Sequence, residues 1–275
     1  MSDRANRVVL TTGSNSGIGL ATTIEAARLG FRSVGSVRSE AKAEAVQRAA
    51  GRAGVGVETV LLDVNDAERC AQVVDELRPW GLVNNAGFGG MGAVEDVGDD
   101  EARELMETMV MAPMRLARLA APHMRAAGGG RVVNMSSVFG RTTAPLAGWY
   151  CGAKHALEAL SDSLRMEVAA AGIKVILVEP GGFKTGIWGE VDETARSRPG
   201  SNYERAYQRS GSGLRLTQPF MGNPERVAAV VGRALTSRFP SERYLVGIDA
   251  VALTVTQRLT PTVVRDRITR LGLGL

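Results

Sequence analysis

Thr12-Gly13-Ser14-Asn15-Ser16-Gly17-Ile18-Gly19 carries the strongest fold signal in this 275-residue chain. An apolar, β-branched run over 7–12 leads into it, and a helix-like stretch over 18–29 follows and ends at Gly30. Glycines in a strand-to-helix turn let backbone amides approach a pyrophosphate at the positive end of the helix dipole. The turn therefore predicts a dinucleotide-binding unit near the start of the chain.

Beyond this turn, short β-rich runs alternate with longer helix-like stretches. Further strands are predicted over 33–37, 57–62, 82–83, 131–135, 173–178 and 243–246. Further helices are predicted over 40–53, from Asn65 or Asp66 to 77, from Asp99 or Asp100 toward 127, and over 150–171 and 225–237. This alternation is typical of an α/β fold in which helices cover both faces of a parallel sheet. No repeat or low-complexity linker divides the chain, so residues 1–275 are predicted to form a single domain.

Two stretches interrupt the regular pattern. Pro113 and Pro122 lie inside the helix predicted to end near residue 127, and each is expected to bend or break it. Residues 182–222 are rich in Gly, Ser, Arg and Thr, and a loop of that length in a compact domain is usually functional or mobile. This segment is interpreted as a flexible lid over a substrate pocket.

The composition, 44% hydrophobic and 23% charged, is that of an ordinary soluble globular protein. Cys70 and Cys151 have no metal-type spacing, so both are interpreted as small packed residues in a reducing compartment. With only two histidines, a metal site is not expected. No secretory signal and no apolar run of about 18 residues is visible, which predicts a cytoplasmic protein without a membrane span. The net charge is +4, but the arginines are interleaved with acidic residues, so no nucleic-acid partner is expected.

The end of the second predicted strand bears on the choice of cofactor. An acidic residue there would hydrogen-bond a free ribose 2′-hydroxyl, whereas an arginine accommodates a 2′-phosphate. The chain has Ser36-Val37-Arg38 and no carboxylate before Glu40. NADP(H) is therefore favoured over NAD(H), with the alternative that Arg38 is only a surface residue.

Tyr150 and Lys154 are four residues apart on a predicted helix, which places both side chains on one face. A phenol with an ordinary pKa near 10 is a poor base at neutral pH, but a neighbouring ammonium and an oxidised nicotinamide both favour the phenolate and should lower that pKa. Tyr150 could then exchange a proton with an alkoxide or alcohol. Ser137, at the end of the fifth predicted strand, could hydrogen-bond the same oxygen. His155 would point about 100° away and is interpreted as a packing or surface residue.

The order of these motifs along the chain resembles the short-chain dehydrogenase/reductase family over nearly the whole length. The matching motifs are the glycine turn, Asp63, Asn84-Asn85-Ala86-Gly87, Ser137, Tyr150, Lys154, and Pro180-Gly181 followed by Thr185. The resemblance implies a Rossmann-like, doubly wound parallel sheet of about seven strands, and a homodimer or homotetramer. It also implies a carbonyl or alcohol as the small-molecule substrate, with Ser137, Tyr150 and Lys154 as the catalytic residues.

The same resemblance implies a set of cofactor contacts spread along the edge of the sheet. The counterpart of Asp63 contacts the adenine end, while Thr185 and the backbone after Pro180 hold the nicotinamide amide. The expected contacts are Gly13, Ser14, Asn15, Ser16, Gly17, Ile18, Gly19, Arg38, Asp63, Val64, Asn85, Ala86, Gly87, Tyr150, Lys154, Pro180, Gly181, Phe183 and Thr185.

Finer similarity and one departure qualify this assignment. The runs 80–87, 150–158, 178–183 and 243–247 are similar to hydroxysteroid and retinol dehydrogenases, which implies a lipophilic alcohol or ketone. Met109, however, stands where the family usually has an Asn whose region holds a water in a proton relay to the Lys. A thioether cannot replace an amide donor, so reduced but real turnover is expected.

Two other classes of function stay open at this point. A non-catalytic NADP(H)-binding regulator on the same fold is favoured only by Met109, and the intact Ser137, Tyr150 and Lys154 argue against it. A nucleic-acid-binding protein has no motif behind it.

Overall fold

The computed structural model describes residues 4–184, 198–217 and 221–275. Its strands are β1 (Val8–Thr11), β2 (Arg32–Val37), β3 (Glu58–Leu61), β4 (Gly81–Asn84), β5 (Gly130–Met135), β6 (Ile173–Pro180) and β7 (Arg243–Val246). All neighbouring strands pair in parallel, in the order β3-β2-β1-β4-β5-β6-β7. The strand order reverses between β1 and β4, and in open sheets of this kind the ligand crevice lies at that point, outside the carboxyl ends of the strands.

Helices lie on both faces of this sheet, which confirms the predicted doubly wound α/β class. They are α1 (Gly17–Arg28), α2 (Glu40–Arg52), α3 (Ala67–Leu77), α4 (Asp99–Met106), α5 (Ala112–Ala126), α6 (Gly148–Glu167), α7 (Glu204–Thr217), α8 (Pro224–Thr236), α9 (Ile248–Leu259) and α10 (Thr262–Leu273). Helices α3, α5 and α6 pack on one face, while α1 and α8 pack on the other.

The strands alternate between the two halves of the core because successive side chains of a strand point to opposite faces. In β1, Val8 and Leu10 contact the α3–α5 side and Val9 contacts the α1–α8 side. In β6, Val175 and Ile176 divide in the same way. Burial on both faces explains why these strands are apolar at nearly every position.

The region of the two prolines differs in part from expectation. The predicted N-cap, Asp99 or Asp100, is wrong, because Gly98 is the N-cap and both aspartates lie in the first turn, paired with Arg103. A π-helical turn over Glu107–Met111 separates α4 from α5, and Pro113 follows it in the first turn of α5. Pro122 lies inside α5 without ending it.

The second half of the chain differs from the sequence prediction at α6 and at the C-terminal segment. The helix expected from Tyr150 begins at Gly148 and ends at Glu167, and a 3₁₀ turn continues to Ala171. The C-terminal segment forms two helices, α9 and α10. No helix in the described ranges is long and apolar enough to cross a bilayer.

Candidate active site

The glycine turn lies between the end of β1 and the start of α1, as predicted. Gly13 and Gly17 have φ angles of 67° and 53°, which suit glycine. A Cβ added at Gly13 would lie 2.9 Å from Ala86 Cα, and one added at Gly19 would lie 2.2 Å from the Gly13 carbonyl oxygen. Ser16 is the N-cap of α1 but makes no side-chain cap hydrogen bond, so its side chain leaves the first amides of this helix uncovered. A pyrophosphate fits this arrangement, because helix N-terminal amides without a cap are suited to an anion.

The segment after β4 holds the glycine turn in place. Asn85 Nδ2 donates to the carbonyl oxygens of Thr12 and Gly13 at 2.9 and 3.2 Å. The hydroxyl of Thr12 accepts from the amides of Asn85 and Ala86 at 3.0 and 2.9 Å. Thr12 therefore fixes the expected cofactor segment 85–87 against the turn, a role that the sequence analysis did not assign to it.

Of the remaining expected cofactor residues near β1–β3, some are buried and others are exposed to solvent. Ser14 is fully buried: its amide donates to Ser36, and its hydroxyl donates to the Thr11 carbonyl oxygen. Its polar groups are thus engaged within the protein. Arg38, directly after β2, is exposed, and among the described residues no carboxylate pairs with it. Asp63 is exposed too, while Val64 is a core residue.

The three expected catalytic residues come together at the carboxyl edge of the sheet. Ser137 lies close enough to the phenol of Tyr150 to lower its pKa, and Phe139 packs edge-on against the Tyr150 ring. Lys154 is buried, its Nζ lies 5.7 Å from the centre of that ring, and it donates to the Met135 carbonyl oxygen at 2.8 Å. A substrate oxygen next to the phenol could therefore meet Ser137 as well.

The proton affinities in this site differ from the expectation. Tyr150 as a residue is partly exposed, yet burial around its hydroxyl raises the pKa to about 12, against a smaller lowering by Ser137. Lys154 and an oxidised nicotinamide were expected to lower this pKa; in the structure desolvation of the phenolate is the largest influence, and Lys154 is not among the groups that shift it. Burial lowers the pKa of Lys154 to about 8, and the nearby carboxylate of Glu158 acts to raise it. At neutral pH the site therefore holds a phenol beside an ammonium.

An ionic cluster around the buried carboxylates of Glu158 and Glu179 lies next to Lys154 along α6, and no sequence motif indicates it. Arg243 Nε donates to Glu158 at 3.0 Å and lies 3.3 Å from Glu179, whose side chain is wholly buried. Arg141 approaches Glu179 from the other side at 3.5 Å. Burial, and then the charge of Glu158, raise the pKa of Glu179. The cluster ties α6, β6 and β7 together behind Lys154.

The turn after β6 is fixed by a residue that no motif indicated. Asp249 in α9 accepts from the Gly182 amide at 2.6 Å, and a Cβ added at Gly181 would lie 2.3 Å from its carboxylate. Pro180 is the last residue of β6, two residues beyond the predicted end of that strand. Phe183 is buried against Gly222 in the core, so its side chain faces the protein interior. Thr185 lies outside the described residues.

The first and last residues of the expected lid, 182–222, lie next to each other. Gly182 and Gly222 are joined by a backbone hydrogen bond, and Phe183 forms an isolated bridge with Gly222. The described part, 198–217, contains α7, in which Tyr207 is buried. This part is therefore a docked helix and not the irregular loop that was expected.

Asp96, just before α4, anchors that docked part. Its carboxylate accepts from the hydroxyls of Ser201 and Tyr207 at 2.6 and 2.8 Å. Tyr207 also accepts from the Ala93 amide at 2.7 Å, and Arg198 forms an ion pair with Glu101. The two sides of the substrate region are thus held together by charge-assisted hydrogen bonds.

Met109 lies within the π-helical turn and is 1% exposed. It packs in an apolar cluster with Leu105, Ala153 and Tyr150. Met109 therefore fills its position by core packing, on the side of α6 that carries Tyr150 and Lys154.

Comparison with known proteins agrees with this geometry. The family model described as short chain dehydrogenase matches residues 7–196. The Escherichia coli (strain K12) oxidoreductase YbbO is 34% identical over 94% of this chain and 93% of its own. Human retinol dehydrogenase 5 is 31% identical over 96% of this chain and 88% of its own.

Solved structures give the same result. The crystal structure of a short-chain dehydrogenase from Streptomyces avermitilis has a TM-score of 0.79 and 33% identity, and the match covers 98% of this chain and 97% of that one. A metagenomic short-chain oxidoreductase in complex with NADP has a TM-score of 0.70 and 26% identity, covering 89% and 98%. The chain therefore belongs to the short-chain dehydrogenase family.

Proposed function

We propose that this protein transfers a hydride between NADP(H) and the carbonyl or secondary alcohol of a lipophilic substrate, with Tyr150 as the general acid and base. The observation that carries the proposal is the buried ammonium of Lys154, fixed by the Met135 carbonyl beside the Tyr150 ring, with Ser137 close enough to the phenol to lower its pKa. The group lies at the sheet edge that also carries the glycine turn. A protein that only bound a dinucleotide would not need this set.

In the reducing direction the chain supplies the proton and the positioning. Bound NADPH supplies the hydride for the carbonyl carbon. Tyr150 Oη gives its proton to the carbonyl oxygen as negative charge develops there, and Ser137 Oγ donates a hydrogen bond to the same oxygen. A Tyr150 pKa of about 12 keeps the phenol protonated at neutral pH, as an acid requires. Lys154, held by the Met135 carbonyl, places a positive charge near the phenolate that forms.

NADP(H) is proposed over NAD(H) because of Arg38. Its exposed guanidinium follows β2 directly, at the position where a 2′-phosphate is expected. The solved metagenomic relative that holds NADP is consistent with this choice. The glycine turn and the segment 85–87 would hold the pyrophosphate and the rest of the cofactor.

A lipophilic substrate is proposed from the surroundings of Tyr150. Phe88, Leu105 and Met106 belong to the apolar cluster that includes Tyr150. Met91 and Leu146 belong to a second cluster beneath α7. The similarity to retinol dehydrogenase 5 supports the same class of substrate.

A homodimer or homotetramer is proposed through the helices on the α5–α6 side, as the family resemblance implies. Met111, Leu160 and Met166 leave large apolar side chains exposed there. Cys70 and Cys151, both buried as free thiols, support a cytoplasmic location. Light scattering of the purified protein gives the oligomer size; a monomer at micromolar concentration would contradict the assembly.

The test of function is NADPH consumption with all-trans-retinal, a steroid ketone and a short-chain aldehyde. Deuterated NADPH, labelled on the transferred hydride, should leave one deuterium on the carbinol carbon of a lipophilic product. Faster reaction of the lipophilic carbonyls supports the substrate class, and preference for the short-chain aldehyde contradicts it. Tight NADPH binding with no consumption across the panel would favour the non-catalytic alternative.

A further inference from the structure

The two C-terminal helices expose an unusual share of the apolar surface. Among the residues that the structure describes, seventeen large hydrophobic side chains are exposed, and ten of them lie in 248–275. Helix α10 buries none of its residues, and α9 buries only Ala250. Contiguous exposed apolar surface on a folded protein usually marks an interaction site.

Eight of these ten side chains form one stripe on each helix. On α9 the stripe consists of Ile248, Val251, Val255 and Leu259; on α10 and just beyond it, the stripe consists of Val264, Ile268, Leu271 and Leu275. The spacing of three or four residues puts each set on one helix face. Such a stripe normally faces the core, but here Leu259 is 76% exposed and Ile268 is 64% exposed.

Arginines flank both stripes. The segment 248–275 has four arginines, Arg258, Arg265, Arg267 and Arg270, and no lysine or glutamate. Of its two aspartates, Asp249 is bound to the Gly182 amide and Asp266 lies 3.6 Å from Arg265. An apolar stripe bordered by basic side chains is the pattern of a helix that lies in the interface of an anionic membrane.

The surface lies at the substrate side of the molecule. Helix α9 begins two residues after β7 ends, at the carboxyl edge of the sheet. Leu273 packs against the cluster formed by Tyr203, Ala206 and Tyr207 in the docked segment. The two stripes are therefore adjacent to the elements that cover the candidate active site.

We infer that α9 and α10 dock this protein peripherally on an anionic lipid surface. The inference goes beyond the proposed oxidoreductase function and does not depend on it. A second copy of the chain fits less well, because a two-fold interface places the same patch against itself and would bring the arginines of both copies together. An anionic bilayer takes up the apolar stripes and the positive charge together.

The test is flotation of the whole protein with vesicles of pure phosphatidylcholine, or of phosphatidylcholine with roughly one third phosphatidylglycerol, at low and high salt. The wild type should bind the anionic vesicles, bind the neutral ones about tenfold less, and be weakened by salt. Leu259→Asp and Ile268→Asp should each reduce anionic binding about tenfold. Phe239→Asp is the matched control, since Phe239 is 80% exposed but lies before β7, at the opposite edge of the sheet.

Three outcomes would overturn the inference. They are no binding of the wild type to anionic vesicles, an equal loss in the Phe239→Asp control, and dissociation of a lipid-free oligomer by Leu259→Asp in sedimentation velocity. The last would show that the patch joins two copies. Circular dichroism of each variant establishes that it is folded, and NADPH turnover without vesicles tests the proposed function separately.

Discussion

Arg38 is the residue that we propose distinguishes the two nicotinamide cofactors by charge. Arg38→Asp removes the partner of a 2′-phosphate and supplies an acceptor for a ribose hydroxyl. The ratio of kcat/KM for NADPH over NADH should fall about 10- to 100-fold, the size of one charge-assisted hydrogen bond. Arg52→Asp, at the end of α2, is the control and should leave the ratio unchanged. An unaltered ratio in Arg38→Asp would show that the 2′-phosphate is recognised elsewhere.

Met109 occupies the position at which the family resemblance leads us to expect an Asn. Met109→Asn restores an amide donor but also places it in the apolar cluster with Leu105 and Ala153. Turnover should rise a few-fold if the amide supports the proton relay, while the free energy of unfolding should fall by about 1–3 kcal/mol. Met109→Leu, of similar volume, separates packing from hydrogen bonding. If Met109→Asn leaves turnover equal or lower, the departure from the family is harmless.

At this scale the sequence located the residues but not all their partners. The positions of Tyr150, Lys154 and Ser137 could be predicted because spacing on a helix and the end of a strand determine them. Thr12, Asp249 and the Glu158–Glu179–Arg243 cluster could not, since they act through contacts between residues far apart in sequence. The Tyr150 pKa was also missed, because burial depends on neighbours that a local motif does not contain.

Among the elements, the strands were predicted to within one or two residues at most ends, since buried β-branched runs bounded by glycines have few alternatives. The π-helical turn was not predicted, although Pro113 marked its end. Leu146, just before α6, has a φ of 63°, a left-handed conformation that cannot be predicted from a leucine in the sequence. Its carbonyl oxygen accepts from the Gly92 amide at 2.7 Å. Helices α9 and α10 were not predicted, although their apolar residues recur every three or four positions.

The docking of α7 is an element-scale property that depends on Asp96. Asp96→Ala removes the acceptor of both Ser201 and Tyr207. Amide hydrogen exchange over 198–217 should accelerate about 10-fold or more, because each hydrogen bond to a charged group contributes about 1.5–3 kcal/mol. Asp100→Ala, which breaks only an exposed pair with Arg103, is the control. Unchanged exchange over 198–217 would mean that apolar contacts alone dock the helix.

At the scale of the whole molecule, the buried ammonium of Lys154 lowers the free energy of unfolding. Burial holds the pKa of Lys154 at about 8, below its ordinary 10.5, so the folded protein binds this proton less tightly than the unfolded chain does. Lowering the pH from about 10.5 to about 8 therefore destabilises the fold, and the penalty is constant below that range. Lys154→Met removes it.

The free energy of unfolding of Lys154→Met relative to wild type should consequently improve by roughly 3 kcal/mol as the pH falls through that window. Urea unfolding at several pH values measures this difference. Lys174→Met, at an exposed lysine, should change stability by less than about 0.5 kcal/mol at each pH. A difference between Lys154→Met and wild type that does not vary with pH would show that the ammonium is not destabilised by burial.

The most direct test of the chemistry is to remove one oxygen atom from the phenol and measure turnover and cofactor affinity together. In Tyr150→Phe, kcat for carbonyl reduction should fall about 1,000-fold, since a positioned general acid contributes about 10²–10⁴. The Kd for NADPH should stay within about threefold, because the glycine turn and Arg38 remain. Turnover within tenfold of wild type, at unchanged affinity, would contradict the role of Tyr150 as the proton donor.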